Sequence, residues 1–550
     1  MAGHQFLTAA RPNRPARRQA LIGTSLLAIA ATLATATTVD SPERLGKRIY
    51  RQAIAVDGGP VRAIVQGDVS LPAGAGACAS CHRRSGIGIA EGGYSRSLNL
   101  TSPALFAPNK RPPLRPAYDK STLLRAVVAG IAADGRALDP LMPRYQLTAT
   151  DADALFAYLQ TLGRSPAPGV TDEEIELATV IADSASAEER LAVEKVTAQY
   201  VALKNGGSRR EADRAAAAQH AYGQSRDRAF RHWNFRIWRL HGPASTWREQ
   251  LDAYYEANPP FALLSGAAGD DWAGVHEFCE AREIPCILPL ADAPEGHRRD
   301  FYPLYFSRGV ALEAEVTAAH ASARLSQMQE TLLVYVDDAR GRAALGAFKE
   351  RWPTAQQASL VVRSIAPGRV VTAKQWRDWL RAGVSQQVVA WVDPESLAAL
   401  AIASPGYTLH DIYTTAAFTR WDHDLPDSLL PLIRHVHPYS LPGSDTRAFP
   451  REVMWLRRYG LSHLAAVPAG KVLFACHVVG EALADMESNF YRDYLLETLE
   501  HTLDGTQMTT VYPITTLGPD QRTLARGAFV VGVSLAAGNP QVGRREWIEP

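Results

Sequence analysis

The stretch Cys78-Ala79-Ser80-Cys81-His82 constrains this 550-residue chain more than any other part of its sequence. Two cysteines with two residues between them and a histidine directly after form the attachment signature of a c-type haem. The two thiols add to the vinyl groups of the porphyrin, and the adjacent imidazole reaches the iron from one side. The sequence therefore predicts one covalent haem c, bound through Cys78 and Cys81, with His82 as an axial ligand of the iron.

Two other interpretations of a Cys-x-x-C pair fit this chain less well. A structural zinc site needs a second pair of ligands nearby, but the next cysteine is Cys279, roughly two hundred residues downstream. A thioredoxin-like pair opens a helix directly after a strand, whereas residues 71–77 here form a flexible lead-in rich in Gly and Ala. Haem attachment is the interpretation that the surrounding sequence favours.

Residues 1–36 have the pattern of a cleaved secretory signal peptide. A positively charged beginning is followed by an apolar run over residues 20–34, and Ala34-Thr35-Ala36 supplies a small-residue cleavage site. The alternative is an uncleaved membrane anchor, but the run is short and rich in Ala and Thr for a spanning helix. The sequence predicts export to the periplasm, with membrane association only if this segment is retained.

Residues 41–165 are predicted to form the domain that carries the haem. An opening helix over 41–51 places Leu45 and Ile49 on one face, and a closing helix over 151–162 shows the same spacing of apolar residues. Helices with such faces pack against each other through their apolar sides. The pattern predicts a small all-α domain.

Met142 is the predicted sixth ligand of the haem iron. It lies on a loop between Pro140 and Pro143, which restrict the backbone on both sides. A thioether is a neutral, soft ligand that favours the reduced iron, and pairing with a histidine is common in cytochromes c. A methionine on an apolar loop is otherwise most often a filler of the core.

These features resemble class I cytochromes c, particularly the cytochrome subunits and domains that serve periplasmic alcohol and sugar dehydrogenases. The resemblance rests on the Cys-x-x-Cys-His stretch, on residues 130–145 and on the closing helix. It implies a small helical electron carrier with His82 and Met142 as the two axial ligands.

Charge is distributed unevenly along the chain. The whole chain has a formal charge of only +1, which argues against nucleic acid as a partner. Between residues 78 and 150, however, there are ten Lys and Arg residues and only four Asp and Glu residues. Such an excess predicts a basic rim around the haem that steers an acidic redox partner, a periplasmic dehydrogenase or another cytochrome, although an ordinary solvated surface is the alternative.

Residues 166–171 form a predicted linker, and residues 172–540 a second domain of different pattern. The linker contains the stiff sequence Pro166-Ala-Pro-Gly. Beyond it, short apolar runs that favour strands alternate with amphipathic runs that favour helices. This alternation predicts parallel sheets covered on both faces, and its length fits two α/β lobes better than one.

The second domain resembles the type 1 periplasmic binding proteins, a family that includes substrate-binding components for branched-chain amino acids and amides. The resemblance rests on the order of the elements and on residues 238–247, 278–286 and 304–309. It implies two lobes that are joined by strands crossing a hinge and that close on a small ligand. The predicted fold class is a small all-α cytochrome c domain followed by a two-lobed α/β type 1 periplasmic-binding fold.

Candidate residues of the ligand cleft lie in turns after the predicted strands, where backbone amides at helix starts can bind a carboxylate. The candidates are Ser265, Gly266, Ala267, Ala291, Asp292 and Arg340. Glycine turns and capping aspartates occur in any α/β protein, so a purely structural role is the alternative for each. Asp292 stands where amino-acid binders of this family carry a small hydroxyl residue, which argues against an amino-acid ligand.

The remaining cysteines allow one disulfide. Cys279 and Cys286 lie at the end of a predicted helix and the start of a predicted strand, and a bond between them is expected in an oxidising compartment. Two buried apolar thiols are the alternative. Cys476 stands in an apolar run and is predicted to be a buried small residue.

Together these features predict a periplasmic monohaem electron carrier fused to a solute-binding module, with no bond-making catalysis of its own. The resemblance to proteins of quinoprotein alcohol dehydrogenase systems implies an alcohol-oxidising pathway. An alternative is an ABC-transporter-type solute receptor or ligand sensor in which the haem is accessory. Catalysis at the haem is a third alternative, but it needs an open sixth position on the iron, and Met142 argues against one. A cleft that binds no ligand is a further alternative.

Overall fold

The computed structural model describes most of the chain after residue 39. The described ranges are 40–88, 98–110, 114–164, 166–222, 231–269, 271–292, 300–325, 329–441, 449–486, 489–505, 511–518, 521–536 and 539–550. The predicted signal peptide lies outside them. Residues 42–550 pack as one compact unit, so the haem-carrying part and the α/β part are in contact.

The amino-terminal domain is built on two helices that pack closely, as predicted. Its helices are α1 (Pro42–Gln52), α2 (Ala79–His82), α3 (Ser102–Leu105), α4 (Lys120–Ala129) and α5 (Ala149–Thr161). Helix α5 begins at a capping box in which Thr148 and Asp151 bond each other's backbone amides. Gly46 lets α1 approach α5, because a Cβ atom at Gly46 would lie 1.9 Å from the carbonyl oxygen of Ala154.

The domain also contains a small sheet that the prediction of an all-α domain missed. Strands β1 (Arg62–Val65), β2 (Val69–Ser70) and β3 (Arg144–Gln146) pair antiparallel in the order β2-β1-β3. The strands are too short to show a clear alternation of apolar and polar residues, so their sequences carried little signal. Strand β3 begins at Arg144, after Pro143, and fixes one end of the Met142 loop.

The first lobe of the α/β part is a five-stranded parallel sheet in the order β5-β4-β6-β7-β8. Its strands are β4 (Glu174–Ala182), β5 (His232–Leu240), β6 (Ala262–Ala267), β7 (Cys286–Ile287) and β8 (Pro303–Leu304). The helices between them are α6 (Ala187–Tyr222), α7 (Trp247–Ala257) and α8 (Ala273–Arg282). Three helices from later in the chain return to this lobe.

The second lobe is a seven-stranded sheet in the order β10-β9-β11-β12-β13-β14-β15. Its elements are α9 (Val310–Ala323), β9 (Glu330–Val336), α10 (Ala339–Arg351), β10 (Leu360–Ile365), α11 (Ala373–Trp379), β11 (Ser385–Trp391), α12 (Pro394–Ala403), β12 (Thr408–Thr415) and β13 (Ile433–His437). The helices that return to the first lobe follow, as α13 (Phe449–Arg458), α14 (Ala466–Asp485) and α15 (Arg492–Gly505). The chain ends with β14 (Ala528–Ala536) and β15 (Asn539–Ile548).

The predicted parallel pairing holds for β9 to β13 but not for the last two strands. Strand β14 pairs antiparallel with β13, and β15 pairs antiparallel with β14. Only two residues separate β14 from β15, and a connection this short can join only antiparallel strands. The two-lobed α/β architecture is otherwise as predicted.

Three segments connect the lobes. The first crossing is residues 305–309, and the described parts of the second and third crossings are residues 438–441 and 511–527 without 519–520. The crossings bond one another: Tyr305 N–H donates to the Arg522 carbonyl oxygen over 2.8 Å, and Ser440 N–H donates to the Val511 carbonyl oxygen over 2.8 Å. These bonds form the hinge.

Helix α14 meets the length and composition of a membrane-spanning helix, with a mean hydropathy of 1.3 over its most apolar window. Buried residues make up 67% of that window, and the helix packs against α6 and β6 in the first lobe. In this structure α14 is therefore a core helix. The sequence analysis assigned a possible membrane segment only to the amino terminus.

The amino-terminal domain docks on the first lobe through buried charges, which we call the docking interface. Arg51 forms an ion pair with Asp493, whose other oxygen accepts from the Tyr302 hydroxyl at 2.7 Å. Lys47 and Arg51 also contact Glu283. Burial opposes ionisation of Asp493, but neighbouring arginines outweigh it and hold the pKa of this carboxyl below its ordinary value.

We expect Asp493→Asn to destabilise the mature protein by about 3 kcal/mol, because it removes the buried charge partner of Arg51 and leaves only the more exposed Glu283. Urea denaturation measures the change. Asp153→Asn is the control, since Asp153 pairs with Lys120 where both side chains are more than half exposed. Its expected cost is below about 1 kcal/mol. Equal losses in the two variants would contradict the assignment of a buried, stabilising pair.

Candidate functional site

The haem-attachment stretch forms one helical turn. Cys78 is the N-cap of α2 with helical backbone angles, so Cys78, Cys81 and His82 have the i, i+3 and i+4 spacing that places side chains on one face. Cys78 is half-buried and its thiol is hydrogen-bonded to the Tyr145 side chain, while Cys81 is exposed. Burial raises the pKa of the Cys78 thiol to about 11. Both sulfurs can therefore meet one edge of a porphyrin.

The His82 ring is oriented for metal binding. Its Nδ1 lies 2.8 Å from the carbonyl oxygen of Leu98. A carbonyl oxygen can only accept, so Nδ1 carries the proton and Nε2 keeps its lone pair for the iron. Burial lowers the pKa of His82, which favours the neutral imidazole that a metal requires.

The Met142 loop is held by its neighbours on both sides. Met142 N–H donates to the carbonyl oxygen of Asp139 at 3.0 Å, and the Arg144 guanidinium donates to the carbonyl oxygens of Met142 and Leu138. Gly130 ends α4 in the left-handed conformation, and a Cβ atom there would lie 2.0 Å from Arg144 Nε. The loop can present a sulfur atom in a fixed position, and ligation by Met142 stays a prediction.

The apolar surface of this domain fits a haem. Half of the large apolar side chains that are exposed among the described residues belong to it, although it makes up less than a quarter of the chain. They are Val69, Leu98, Leu114, Leu124, Val128, Ile131 and Leu141. Leu98 supplies the acceptor for His82, and Leu141 precedes Met142. The donor set and this surface together suit a porphyrin.

The residues after His82 turn into the first lobe. Arg83 has φ 63° and ψ 169°, a region that essentially only glycine occupies and that costs about 1–3 kcal/mol for other residues. The Tyr50 hydroxyl holds the Arg83 carbonyl oxygen at 2.8 Å. Ser85 N–H donates to Glu497 at 3.0 Å, and the Ser85 hydroxyl donates to the same carboxylate. The haem turn is therefore fastened to α15.

The prediction of a basic rim is wrong for two of its residues, Arg83 and Arg84. Arg83 faces Glu500 of α15 at 3.6 Å, and the Arg84 guanidinium lies 3.8 Å from the centre of the Phe301 ring. Both cations meet groups of the same chain because the domain docks with this side on the first lobe. Other basic residues of the domain, such as Lys110 and Arg125, are exposed.

Ser265, Gly266 and Ala267 do not form the loop that the sequence analysis predicted. They continue β6, which ends at Ala267, and all three are buried. Ser265 has φ 56° and Gly266 φ 140°, and the pairing register between β4 and β6 shifts at this point. The strand therefore contains a bulge and does not end at Leu264. Among the described residues the Ser265 hydroxyl has no hydrogen-bond partner.

Asp292 and Arg340 lie where the two lobes face each other. The Asp292 carboxylate lies against Gly309 of the first crossing, while Arg340 Nη1 donates to the Ala417 carbonyl oxygen at 3.0 Å. Ala291, next to Asp292, is half-buried against the first-lobe core. The charges of Asp292 and Arg340 both act on Glu313 of α9, so the structure brings these two candidates together.

Glu313 was missed by the sequence analysis. It is fully buried near the start of α9 and accepts a hydrogen bond from Ala417 N–H at 2.9 Å. Burial, with the nearby Asp292 carboxylate, raises the pKa of Glu313 to about 7. A glutamate among the apolar residues that begin this helix, Val310-Ala-Leu-Glu-Ala, was the available signal.

Lys471 of α14 was also missed, and it lies at the hinge. Its ammonium nitrogen is 5.6 Å from the ring centre of Phe306, 5.2 Å from that of Tyr439 and 5.1 Å from that of Tyr512. Burial opposes its charge, but the two tyrosines and Asp292 outweigh burial and raise the pKa of Lys471. The ammonium is a buried cation in an aromatic cage.

The cysteines of the α/β part are free thiols in this structure. Cys279 and Cys286 are both buried, and the two thiols form a hydrogen bond. The sulfur atoms are therefore neighbours, and a disulfide between them stays a prediction. Cys476 is fully buried in the first-lobe core, as predicted.

Residues 73–163 match the cytochrome c family. Searching the curated proteins found no match. The predicted cytochrome c domain is confirmed by this family match, and the predicted two-lobed α/β architecture of the second domain is confirmed by the sheet topology. The resemblance of that domain to type 1 periplasmic binding proteins stays a prediction.

Several solved structures are similar to the chain. A fatty acid ABC transporter substrate-binding protein from Thermomonospora curvata has 15% identity and a TM-score of 0.44, covering 70% of this chain and 95% of its own. The branched-chain amino acid transporter substrate-binding protein LivJ from Streptococcus pneumoniae, in complex with isoleucine, has 11% identity and a TM-score of 0.44, with coverages of 69% and 100%. The leucine-binding protein LivK from Thermotoga maritima has 10% identity and the same TM-score, with coverages of 68% and 98%.

Glu497 gives the docked haem turn a pH dependence. Burial raises the pKa of Glu497 from 4.5 to about 7, against the opposing hydrogen bonds from Ser85. The folded protein therefore holds this proton more tightly than the unfolded chain does. This contribution to stability is complete below pH 4.5 and is lost as the pH rises towards 7.

We expect Glu497→Gln, which keeps the side chain neutral, to gain stability relative to the unmodified protein as the pH rises from 4.5 to 7. The gain should reach about 3 kcal/mol at higher pH. Denaturation at a series of pH values measures it, with the exposed Glu249→Gln of α7 as the control for removal of a surface carboxylate. A difference that does not change with pH would show that Glu497 is ionised in the folded protein.

Proposed function

Because residues 73–163 form a cytochrome c domain, we propose that this protein is a periplasmic monohaem electron carrier fused to a solute-binding module. The observation that carries the proposal is the His82 ring, whose Nδ1 is engaged by the Leu98 carbonyl oxygen directly after the two cysteines of the attachment turn. Export by the predicted signal peptide agrees with the compartment in which haem c is attached.

The ligand set of the proposal is Cys78 and Cys81 for covalent attachment, with His82 and Met142 on the iron. Bound in this way, the haem supplies one-electron chemistry. The chain's own task is to keep both axial ligands in place, through the Leu98 carbonyl oxygen on one side and the Arg144 guanidinium on the other. The apolar side chains around them exclude water. No bond-making catalysis is part of the proposal.

The redox partner is proposed to be an acidic periplasmic protein, either a dehydrogenase or another cytochrome. Support comes from Lys110, Lys120, Arg125 and Arg136, which are exposed outside the docking interface. Basic side chains near a redox centre steer an acidic partner and raise its rate of encounter. A quinoprotein alcohol dehydrogenase pathway is the context that the resemblance of this domain suggests.

The solute-binding module is proposed to take a small molecule between the lobes. Asp292 of the first lobe and Arg340 of the second both lie close enough to Glu313 for their charges to act on it, and such convergent charged groups can orient a polar ligand. Ser265, Gly266 and Ala267 stay proposed cleft residues together with Ala291, Asp292 and Arg340, although they lie in β6 and are buried.

A second candidate function is a solute receptor or ligand sensor, of the ABC-transporter type, with an accessory haem. The charged groups that face each other across the lobes favour it. Electron transfer and binding are separated by two measurements on the mature protein. These are stopped-flow reduction by a quinoprotein alcohol dehydrogenase and calorimetry with a panel of amino acids, amides, alcohols and carboxylic acids.

Rapid reduction without heat of binding supports the electron carrier, and binding without reduction supports the receptor. For these measurements the protein is expressed together with a cytochrome maturation system. A colourless mature protein, with no covalent haem detected by mass spectrometry, would overturn the electron-carrier proposal.

We expect Met142→Ala to abolish the low-spin, six-coordinate spectrum of the haem, because the iron loses its thioether ligand. Absorption spectroscopy of the oxidised and reduced protein measures the change. Met454→Ala is the matched control, since Met454 is 65% exposed on α13, outside the cytochrome domain. An unchanged spectrum in the Met142 variant removes Met142 from the iron.

A further inference from the structure

The turn that follows the haem ligand His82 is connected to the hinge by buried charges. The Arg83 guanidinium lies 3.6 Å from the Glu500 carboxylate of α15, and the same carboxylate accepts from the Arg522 guanidinium of the third crossing. The Glu500 side chain is 4% exposed and that of Arg522 is 12% exposed. One buried anion therefore bridges the haem turn and a segment that joins the lobes.

A second contact joins the same two regions. The Phe301 ring lies between two guanidinium groups, that of Arg84 at 3.8 Å and that of Arg522 at 4.7 Å from its centre. Phe301 is buried, and it leads through β8 into the first crossing. Movement of either crossing therefore changes the surroundings of Arg84 or of Arg522.

Glu500 is the buried anion that both cations share. A shift of Arg522 weakens one of the two ion pairs of Glu500 and therefore changes the balance of its interaction with Arg83. Arg83 has little freedom to absorb such a shift, because its backbone is already in a glycine-only conformation that the Tyr50 hydroxyl holds. The residue next to Arg83 in sequence is His82.

The three crossings meet at the aromatic cage of Lys471. Phe306 comes from the first crossing, Tyr439 from the second and Tyr512 from the third. The Phe306 and Tyr512 rings stack with 5.9 Å between their centres, and Tyr439 lies 5.3 Å from Tyr512. Opening of the lobes must repack this cage, which makes the hinge a candidate for two discrete states.

We propose that the position of the hinge and the redox state of the haem are coupled through Glu500, so that the haem responds to occupancy of the cleft. The proposal rests on the proposed function, a haem at His82 and lobes that close on a ligand. Since coupling between two sites is reciprocal, reduction of the iron then changes ligand affinity by the same factor. The chain is in this view a solute-controlled electron carrier.

The test perturbs the hinge far from the haem and measures the midpoint potential by spectroelectrochemical titration of the mature holoprotein. We expect Lys471→Met, which removes the caged cation, to change the ratio of reduced to oxidised haem at a fixed potential by about twofold to thirtyfold. Glu500→Gln alone should favour reduced haem, because it removes a negative charge beside Arg83, the residue that follows His82. In the double variant the effect of Lys471→Met should disappear.

Asp411→Asn is the matched control. Asp411 is a buried acid paired with Arg324 and Arg434 in the second lobe, and its loss should leave the potential unchanged. If Lys471→Met does not fold, Tyr512→Phe replaces it, since this change removes only the hydroxyl group that bonds Lys471.

An unchanged potential in the folded hinge variant, or an equal shift with and without Glu500, overturns the coupling. So does a shift of the same size in Asp411→Asn, which would indicate a general loss of stability. These outcomes differ from failure of the proposed function: a colourless protein removes both proposals. If the protein is red and keeps its methionine-ligated spectrum, but the hinge variants leave its midpoint potential unchanged, only the coupling is overturned.

Discussion

The arrangement of this protein depends on the pairing of charges that are buried where the cytochrome domain meets the first lobe. Asp493 is enclosed and still ionised, because Arg51 and Arg84 lie beside it. Removing one member of this group alone would leave a buried ion without its partner, which is costly. The haem domain and the first lobe belong to one compact unit of the fold. Residues 166–169 agree, since Ala167 N–H donates to the Phe490 carbonyl oxygen at 3.1 Å.

Docking also changes the interpretation of the excess of basic residues in the cytochrome domain. Part of the acidic surface that a basic cytochrome is expected to find on another protein is present in the same chain, at Glu283, Glu497 and Glu500. An external partner must therefore approach from the side that remains open. The docked side contacts the hinge, because Glu500 of α15 accepts a hydrogen bond from Arg522 of the third crossing.

Local signals predicted the local parts of the structure. Short stretches of sequence predicted the attachment turn and the helices that open and close the first domain. They also predicted the alternation of strands and helices in the second domain. The Ser265 loop was wrong because the bulge that continues β6 depends on pairing with β4, which a single stretch does not reveal. Glu313 and Lys471 were missed because part of their surroundings is distant in the chain, Ala417 beside Glu313 and Phe306 beside Lys471. The antiparallel pairing of β14 with β13 was missed for the same reason, since the helices α13 to α15 separate these two strands in sequence.

The apolar helix α14 has a consequence for the chain before it folds. A stretch of this length and hydropathy suits a lipid bilayer as well as a protein core. Lys471 and Glu481 lie within it, one towards each end. Charged side chains inside such a stretch disfavour insertion into lipid. The cation of the hinge cage therefore also favours burial of α14 in the protein over insertion into a membrane.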